Sequence, residues 1–314
     1  MTETTSEKKL QWHFRNGKMW MFDDEDIMQR QGRCHRVVEK FYDLKEVEDF
    51  FSTIIEDYPF GITFDISALE KPHFGNLNYT NFSDFFIMHP LSPDISYQQT
   101  IDALTFDSDD NFDYVEYYKK RIEEGVANKY AGRNSATIKK YNAVVVLPAL
   151  VKIRSHICNN KLRHIAEEHG KHAIFKPHPL TTKDELNQIM EMLQSFTTVV
   201  DPDEDVYEYI LNADYLYTSH WSETVLAGVA LDKKMEPIDT FQNRLFGSFS
   251  HINHQLFNSL PNERKTVLNK IFNNYRSGMV NPNTQPDWKE RMVKYLDYIL
   301  EKRNHVKTHY IGRI

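Results

Sequence analysis

Two short polar segments carry residue types that suit an anion. The first is Lys176-Pro177-His178-Pro179 and the second is Thr218-Ser219-His220-Trp221-Ser222-Glu223. The hydroxyls of Thr218, Ser219 and Ser222 stand at the expected start of a helix, where unpaired backbone N–H groups and the helix dipole favour negative charge. A phosphate is the anion that this combination suits best.

Positive charge and a hydrogen-bond acceptor accompany the hydroxyls. His178, between two prolines, can donate a charge-assisted hydrogen bond to a phosphate and neutralise a departing anion, and Lys176 can add a second charge. Glu223 can accept hydrogen bonds from a ribose diol. Each residue also has a structural alternative. Ser219 or Ser222 can be the N-cap of the helix, His178 a loop residue and Lys176 a solvated charge.

A regular alternation of strands and helices over residues 142–239 positions these segments. It predicts a parallel sheet with right-handed crossovers and helices on both faces, whose ligands bind beyond the carboxyl ends of the strands. Both polar segments follow a strand. The expected strands are the short apolar runs 144–147, 172–175, 197–200, 215–217 and 237–239.

The rest of the chain is less regular. Asn16-Gly17 predicts a hairpin turn, and apolar spacing predicts helices in 37–42, 47–55 and 114–126 and strands in 61–66 and 85–88. The Asn-rich stretch 69–83 and residues 92–97 are expected to be loops. A linker over 128–140 divides the chain into domains at 1–140 and 141–314. The tail 256–302 is expected to be helical, with breaks at Pro282 and Pro286.

The donor-side motifs resemble a known enzyme group. Lys176-Pro177-His178-Pro179, Ala213-Asp214-Tyr215, Ser219, Ser222-Glu223 and Gly228 resemble the donor domain of GT-B glycosyltransferases with a His-Pro motif and a later serine motif, such as bacterial capsule-polysaccharide, Kdo- and sialyl-transferases. The resemblance covers about a third of the chain, roughly residues 143–240. The paired serines of that group are replaced here by Thr218-Ser219, and the small residue and proline that often end the next helix are replaced by residues 229–234.

The resemblance implies a GT-B-like α/β fold with two Rossmann-like domains facing a cleft. The acceptor-side domain, with the hairpin, is 1–140, and the doubly wound nucleotide-sugar domain, with a helical tail, is 141–314. In that group the histidine and serines bind the donor phosphate, and His178 can assist the leaving group. Asp65, Asp84 and His89 are candidates for deprotonating the acceptor hydroxyl, and Arg244 for binding a phosphate or sugar carboxylate. Structural roles are the alternative for all four.

We therefore expect a glycosyltransferase that uses a UDP-, CMP- or GDP-linked sugar. The acceptor is a glycan or, as a less favoured alternative, a hydroxymethylated base in DNA, because the composition also resembles that of large-phage proteins. A DNA acceptor requires ten basic residues to share one face: Arg30, Arg33, Arg36, Lys119, Lys120, Arg121, Lys129, Arg133, Lys139 and Lys140. A non-catalytic nucleotide- or sugar-binding protein and a nucleotide-sugar epimerase remain open.

Composition narrows the class of protein. The 314 residues include 40% hydrophobic residues and a formal charge of −7, so a packed core is expected and a polyanionic partner is disfavoured. Cys34 and Cys158 exclude a disulfide framework, and no apolar run is long enough to span a membrane, which together predict a cytoplasmic protein.

The acidic clusters at 23–26, 107–110 and 201–203 are interpreted as solvated loops, so neither a metal nor another cofactor is expected to be obligatory. The histidine-rich segment 246–254 is interpreted as a packing loop, with closure over the donor as the alternative.

Overall fold

The computed structural model describes residues 43–54, 57–58, 61–64, 76–90, 92–128, 139–148, 157, 159–179, 181–193, 195–241 and 249–311. The predicted hairpin, the helix at 37–42, most of the linker, Asp65 and Arg244 lie outside these residues. The helices are α1 (Leu44–Ile54), α2 (Pro93–Thr105), α3 (Tyr114–Glu123), α4 (Asn159–His169), α5 (Lys183–Leu193), α6 (Val206–Leu211), α7 (Thr224–Ala230), α8 (Ser250–Asn258), α9 (Arg264–Asn273) and α10 (Trp288–Ile311). The strands are β1 (Gly61–Phe64), β2 (Asn76–Phe82), β3 (Phe85–Pro90), β4 (Tyr141–Val146), β5 (Ala173–Lys176), β6 (Thr198–Val199), β7 (Ala213–Thr218), β8 (Lys234–Pro237) and β9 (Met279–Val280).

The second half of the chain forms the predicted parallel sheet. Its five strands lie in the order β6-β5-β4-β7-β8, and every neighbouring pair is parallel. Along β4, Val144 packs in one apolar cluster, with residues of α3, α6 and α7, while Ala143 and Val145 pack in another, with residues of α4 and α5. Both faces are therefore buried, which explains the unbroken apolar run. The α/β prediction is confirmed, and the sheet is compatible with a Rossmann-like fold. The last strand, however, is Lys234–Pro237 rather than 237–239.

A second sheet of four strands has the order β1-β2-β3-β9. The prediction of loops over 69–83 was wrong, because β2 occupies residues 76–82 and pairs antiparallel with β3 through a tight turn at Ser83-Asp84. Ser83 has a φ of 46°, a left-handed conformation that such short hairpin turns require. Leu77 and Phe82 are buried, so tertiary packing outweighs the weak strand propensity of asparagine.

The expectation of irregular structure at 92–97 was also wrong, because α2 begins at Pro93. Proline is favoured in the first turn of a helix. The sequence did not predict this helix, because its buried face is largely polar and lacks the apolar spacing of a helix. Gln99 donates to the Met88 carbonyl at 3.1 Å, and Asp102 accepts a hydrogen bond from the Tyr298 hydroxyl at 2.8 Å.

The C-terminal segment packs on the four-stranded sheet. β9, which the sequence did not predict, pairs antiparallel with β3, and Trp288, Met292 and Tyr295 of α10 share an apolar cluster with Phe86 and Met88 of β3. Residues from 279 onward are thus part of the core around the N-terminal strands. The division at residue 140 stays a prediction.

Candidate functional site

The strand order brings the two polar segments to one edge of the five-stranded sheet. From β4 the chain continues to β5 and β6 on one side and then returns to β7 and β8 on the other. Lys176 pairs with Val146 at the end of β4, and Tyr217 pairs with Val145 on its other side. The loops after β5 and β7 therefore flank the end of the central strand. Doubly wound sheets bind nucleotides where the strand order reverses in this way.

Hydroxyl groups form a compact cluster between β7 and α7. The Thr224 Oγ1 atom lies 2.9 Å from Thr218 Oγ1 and 2.7 Å from Ser222 Oγ. Ser222 Oγ also accepts the Thr224 N–H at 3.3 Å. Ser222 Oγ thus satisfies the first backbone N–H of α7, although the N-cap position of this helix is Glu223, whose side chain makes no capping bond. The buried Thr218 hydroxyl contacts Thr224.

Ser219 occupies the turn between these groups. Its Oγ atom accepts the Trp221 N–H at 3.3 Å, and its carbonyl accepts the Ser222 N–H at 3.1 Å. Since the hydroxyl oxygen is the acceptor in the bond with Trp221, its own hydrogen can still be donated. The Ser219 hydroxyl thus keeps a hydrogen to donate, although only 1% of the residue is exposed, whereas Ser222 is half-buried.

Lys176 is not a solvated charge, because only 2% of its surface is exposed. Its ammonium donates to the carbonyls of Pro177 and Pro202 at 2.9 and 2.6 Å. Burial lowers the pKa of Lys176 to about 8, although acidic residues in the segment 201–205 oppose this shift. The side chain therefore joins the loops after β5 and β6.

His178 lies in a half-buried turn directly beyond β5. Its carbonyl accepts the Thr181 N–H at 2.9 Å, which closes the turn. The following helix begins with reciprocal bonds between Thr182 and Glu185, at 2.9 and 3.2 Å, in the arrangement of a capping box. The His178 backbone is consequently fixed by a turn and a capped helix.

Glu223 belongs to a hydrogen-bonded chain that reaches the first half of the sequence. The Tyr207 hydroxyl donates to Glu223 Oε1 at 3.3 Å and lies 3.1 Å from the Tyr118 hydroxyl of α3. Burial raises the pKa of Tyr207 well above its usual value, so this hydroxyl remains a donor at neutral pH. The hydrogen bond from Tyr207 fixes one oxygen of the Glu223 carboxylate.

Two candidate bases are buried in the four-stranded sheet. Asp84 accepts hydrogen bonds from the Tyr117 hydroxyl and, at 3.1 Å, from Ser83, and Arg121 Nε lies 3.8 Å away. His89 is 2% exposed, and neither ring nitrogen has a hydrogen-bond partner within the described part of the chain. Burial, followed by the charge of His251, lowers the pKa of His89 to about 3. Asp84 thus has hydrogen-bond partners inside the fold, whereas the buried His89 ring has none among the described residues.

The sequence did not single out the contact between His220 and Asp239. His220 Nδ1 lies 2.8 Å from Asp239 Oδ1, and the same carboxylate accepts the His220 backbone N–H at 3.0 and 3.2 Å. The spacing of the two residues was a usable signal. Thr218 pairs with Pro237 across β7 and β8, and His220 and Asp239 lie two residues beyond Thr218 and Pro237, respectively. The pairing register, which the sequence did not give, was needed to connect them.

Most described members of the set of ten basic residues have acidic neighbours, with Lys139 as the exception. Lys119 pairs with Glu116 at 3.3 Å, Lys120 with Glu124 at 3.9 Å and Lys140 with Asp214 at 3.4 Å. Arg30, Arg33, Arg36, Lys129 and Arg133 lie outside the described residues. Over the described ranges, no cluster of three His, Cys, Asp or Glu residues has the arrangement of a metal site, and no helix is both long and apolar enough to cross a membrane.

Comparison of the chain with protein-family models finds no match, and comparison with curated protein sequences finds none either.

Proposed function

We propose that this chain is a glycosyltransferase that takes a sugar from a nucleotide-sugar donor bound at the carboxyl edge of the five-stranded sheet. The observation that carries the proposal is the strand order, with β5 and β7 on either side of β4. The loops that carry His178 and Ser219 follow these strands and flank the end of β4, and doubly wound sheets bind nucleotides near the point where the strand order reverses, which supports the proposal. The resemblance of the surrounding motifs to GT-B donor domains points to a sugar nucleotide among such ligands.

In this proposal the donor phosphate lies between the two loops. The Ser219 hydroxyl and the His178 imidazole donate hydrogen bonds to it, and His178 stabilises the negative charge that develops as the glycosidic bond breaks. Glu223 accepts the ribose hydroxyls with the carboxylate that Tyr207 orients. Lys176, held on two carbonyls, shapes the loop that presents His178.

A glycan is the better-supported acceptor. The formal charge is −7, and Lys119, Lys120 and Lys140 each have an acidic partner. DNA binding depends on cations that replace the counterions of phosphates, so paired cations contribute less to it. A second domain facing the donor site, built around the four-stranded sheet, is part of the same GT-B proposal.

A non-catalytic nucleotide- or sugar-binding protein is the second candidate, and the burial of Asp84 and His89 favours it. Asp84 is fully buried beside Tyr117, and His89 is 2% exposed. A general base must reach the proton that it abstracts. If neither residue can do so and no other base exists, the site binds its ligand without turning it over.

A thermal-shift panel with CMP, UDP, GDP and their sugar conjugates tests the binding part of the proposal. A ligand at about 100 times its dissociation constant adds about 2.7 kcal/mol to the free energy of unfolding, which shifts melting by several degrees. We expect one nucleotide to shift melting selectively, and His178→Ala and Ser219→Ala to reduce that shift. The exposed residues His172 and Ser195 provide matched controls, and His172→Ala and Ser195→Ala should behave as wild type.

Turnover separates the two candidates. A transferase releases the free nucleotide from its sugar conjugate, whereas a binding protein retains the conjugate intact. No shift with any nucleotide, or an equal shift in all four variants, contradicts the proposed site.

A further inference from the structure

Asp239 holds His220 in a single orientation. The side chains are 6% and 5% exposed, and the carboxylate contacts both the ring Nδ1 at 2.8 Å and the backbone N–H of His220. Since the carboxylate is an acceptor, it favours the neutral tautomer with hydrogen on Nδ1. The lone pair of that tautomer is on Nε2. Within the described residues, Nδ1 is the only nitrogen of the His220 ring that makes a hydrogen bond.

Aromatic rings surround the His220 imidazole. The ring centroids of Phe257, Phe241 and His254 lie 5.0, 5.5 and 5.8 Å from it, and His254 stacks on Phe241 at 3.8 Å. Burial and the neighbouring His220 lower the pKa of His254. Among the residues that the structure describes, the titratable groups that face His220 are thus Asp239, just beyond β8, and His254 on α8. An apolar surrounding of this kind strengthens a hydrogen bond made to Nε2.

The His220 backbone is part of the loop proposed to bind the donor phosphate. It directly follows Ser219, and Asn253 of α8 donates to the carbonyls of His220 and Ser222 at 2.7 and 2.8 Å. Asn253 is fully buried, so it fixes the loop on both sides of Trp221. The imidazole and the phosphate-binding hydroxyl are therefore held by the same short, anchored segment.

We propose that His220 is the general base of the transfer and that Asp239 is the residue that positions it, an inference that rests on the proposed function. Nε2 takes the proton of the acceptor hydroxyl while the acceptor oxygen forms a bond to the anomeric carbon. The bond between that carbon and the phosphate oxygen breaks, and the nucleotide leaves with the electron pair. The imidazolium then returns its proton to water. This assigns to His220 the role for which Asp84 and His89 were the sequence candidates.

Two substitutions separate the chemistry from the structural contact. In His220→Asn, the amide nitrogen replaces Nδ1 as the donor to Asp239, but no basic nitrogen replaces Nε2. In Asp239→Asn, the imidazole remains and loses the carboxylate. His164→Asn, an exposed change on α4, is the matched control. The readouts are affinity for CMP, UDP and GDP by calorimetry, and release of nucleotide from their sugar conjugates with water as acceptor.

We expect His220→Asn to retain wild-type nucleotide affinity and to lower the rate of release by about 100-fold or more. In Asp239→Asn the rate falls less. We expect kcat to decrease while KM for the sugar conjugate stays unchanged, because the amide no longer selects the tautomer whose lone pair is on Nε2. A purely structural pair would leave kcat unchanged or would change nucleotide affinity with it.

The outcomes distinguish this inference from the proposed function. Nucleotide binding with unchanged release in His220→Asn, or an unchanged kcat in Asp239→Asn, overturns the roles assigned here and leaves the donor site intact. A wild-type protein that binds nucleotides and releases none from any conjugate contradicts the transfer step itself. A wild-type protein that binds no nucleotide contradicts the proposed function, and the role of His220 with it.

Discussion

The Lys176 ammonium lies 2.6 Å from the Pro202 carbonyl, so a lysine at the end of β5 is bonded to the loop that follows β6. The same ammonium donates to the Pro177 carbonyl at 2.9 Å. A charge that the sequence suggested for ligand binding instead joins two loops at the edge of the sheet. The immediate neighbour of Pro177 is His178, so this contact also bears on the proposed site.

Lys176 gives the stability of the protein a pH dependence. Its pKa is about 8 in the folded protein, against 10.5 ordinarily. Between these values the unfolded chain holds more protons, so the free energy of unfolding rises with pH through this window, by about 3 kcal/mol at most. We expect Lys176→Met to remove this rise. Urea unfolding at several pH values measures this dependence, with the exposed Lys171→Met as control. If the free energy of unfolding of Lys176→Met rises with pH as steeply as that of wild type, the ammonium is not buried as described.

Gly228 allows α7 to approach β7 and β8 closely. A Cβ atom at this position would lie 2.3 Å from Met235 Sδ and 2.6 Å from Leu216 Cδ2. Alanine normally stabilises a helix by about 1 kcal/mol relative to glycine. We expect the opposite sign for Gly228→Ala, a loss of about 1–3 kcal/mol from overpacking.

A double-mutant cycle provides the control for Gly228. Met235→Ala makes room for the added methyl group, so Gly228→Ala should cost less in that background than in wild type. Denaturant unfolding of the four proteins gives the coupling. An equal cost in both backgrounds would mean that Met235 does not limit the approach of the helix.

Arg291 of α10 holds the end of α9. Its buried guanidinium donates to the carbonyls of Phe272 at 2.8 Å, Asn273 at 3.3 Å and Met279 at 3.3 Å. Arg291→Met leaves these carbonyls without that donor, and we expect a loss of about 2–4 kcal/mol. Lys294→Met, on the same helix, removes an exposed pair with Glu290 and should change stability by less than about 1 kcal/mol. Chemical denaturation tests both, and similar losses in the two variants contradict the anchoring role.

His89 predicts a loss of stability in mild acid. Burial lowers its pKa from 6.5 to about 3. Below pH 6.5 the unfolded chain takes up a proton that the folded protein does not, so the free energy of unfolding falls as pH decreases towards 3, by at most about 1.4 kcal/mol per pH unit. We expect His89→Leu to remove this loss, and the exposed His172→Leu to retain it. Melting temperatures measured from neutral pH to about pH 4.5 provide the comparison. If the melting temperatures of wild type and His89→Leu fall in parallel as pH decreases, the prediction is wrong.

The five-stranded sheet could be predicted because its strands are buried on both faces. Val144 and Val145 face opposite apolar clusters, and such strands leave a continuous apolar run in the sequence. The positions of His178 and Ser219 at one edge followed from the same alternation. In contrast, β2 is rich in asparagine and α2 buries Gln99 and Asp102, so neither has the apolar period that identifies a strand or helix.

The details of the candidate site depend on contacts between distant residues. Lysine is a residue type usually found at the surface, and the burial of Lys176 is explained by the hydrogen bonds of its ammonium to the carbonyls of Pro177 and Pro202. The contact of His220 with Asp239 requires the register of β7 against β8. Sequence patterns located the loops of the candidate site, whereas the contacts of single side chains depended on tertiary structure.

Hydrogen–deuterium exchange in the presence of CMP, UDP or GDP at millimolar concentration tests the central claim most directly. The account predicts that one nucleotide slows exchange in peptides covering 176–182 and 218–224, and leaves the peptide covering 264–273 in α9 unchanged. Slower exchange confined to other parts of the chain, or no change with any of the three nucleotides, would contradict a nucleotide site at the ends of β5 and β7.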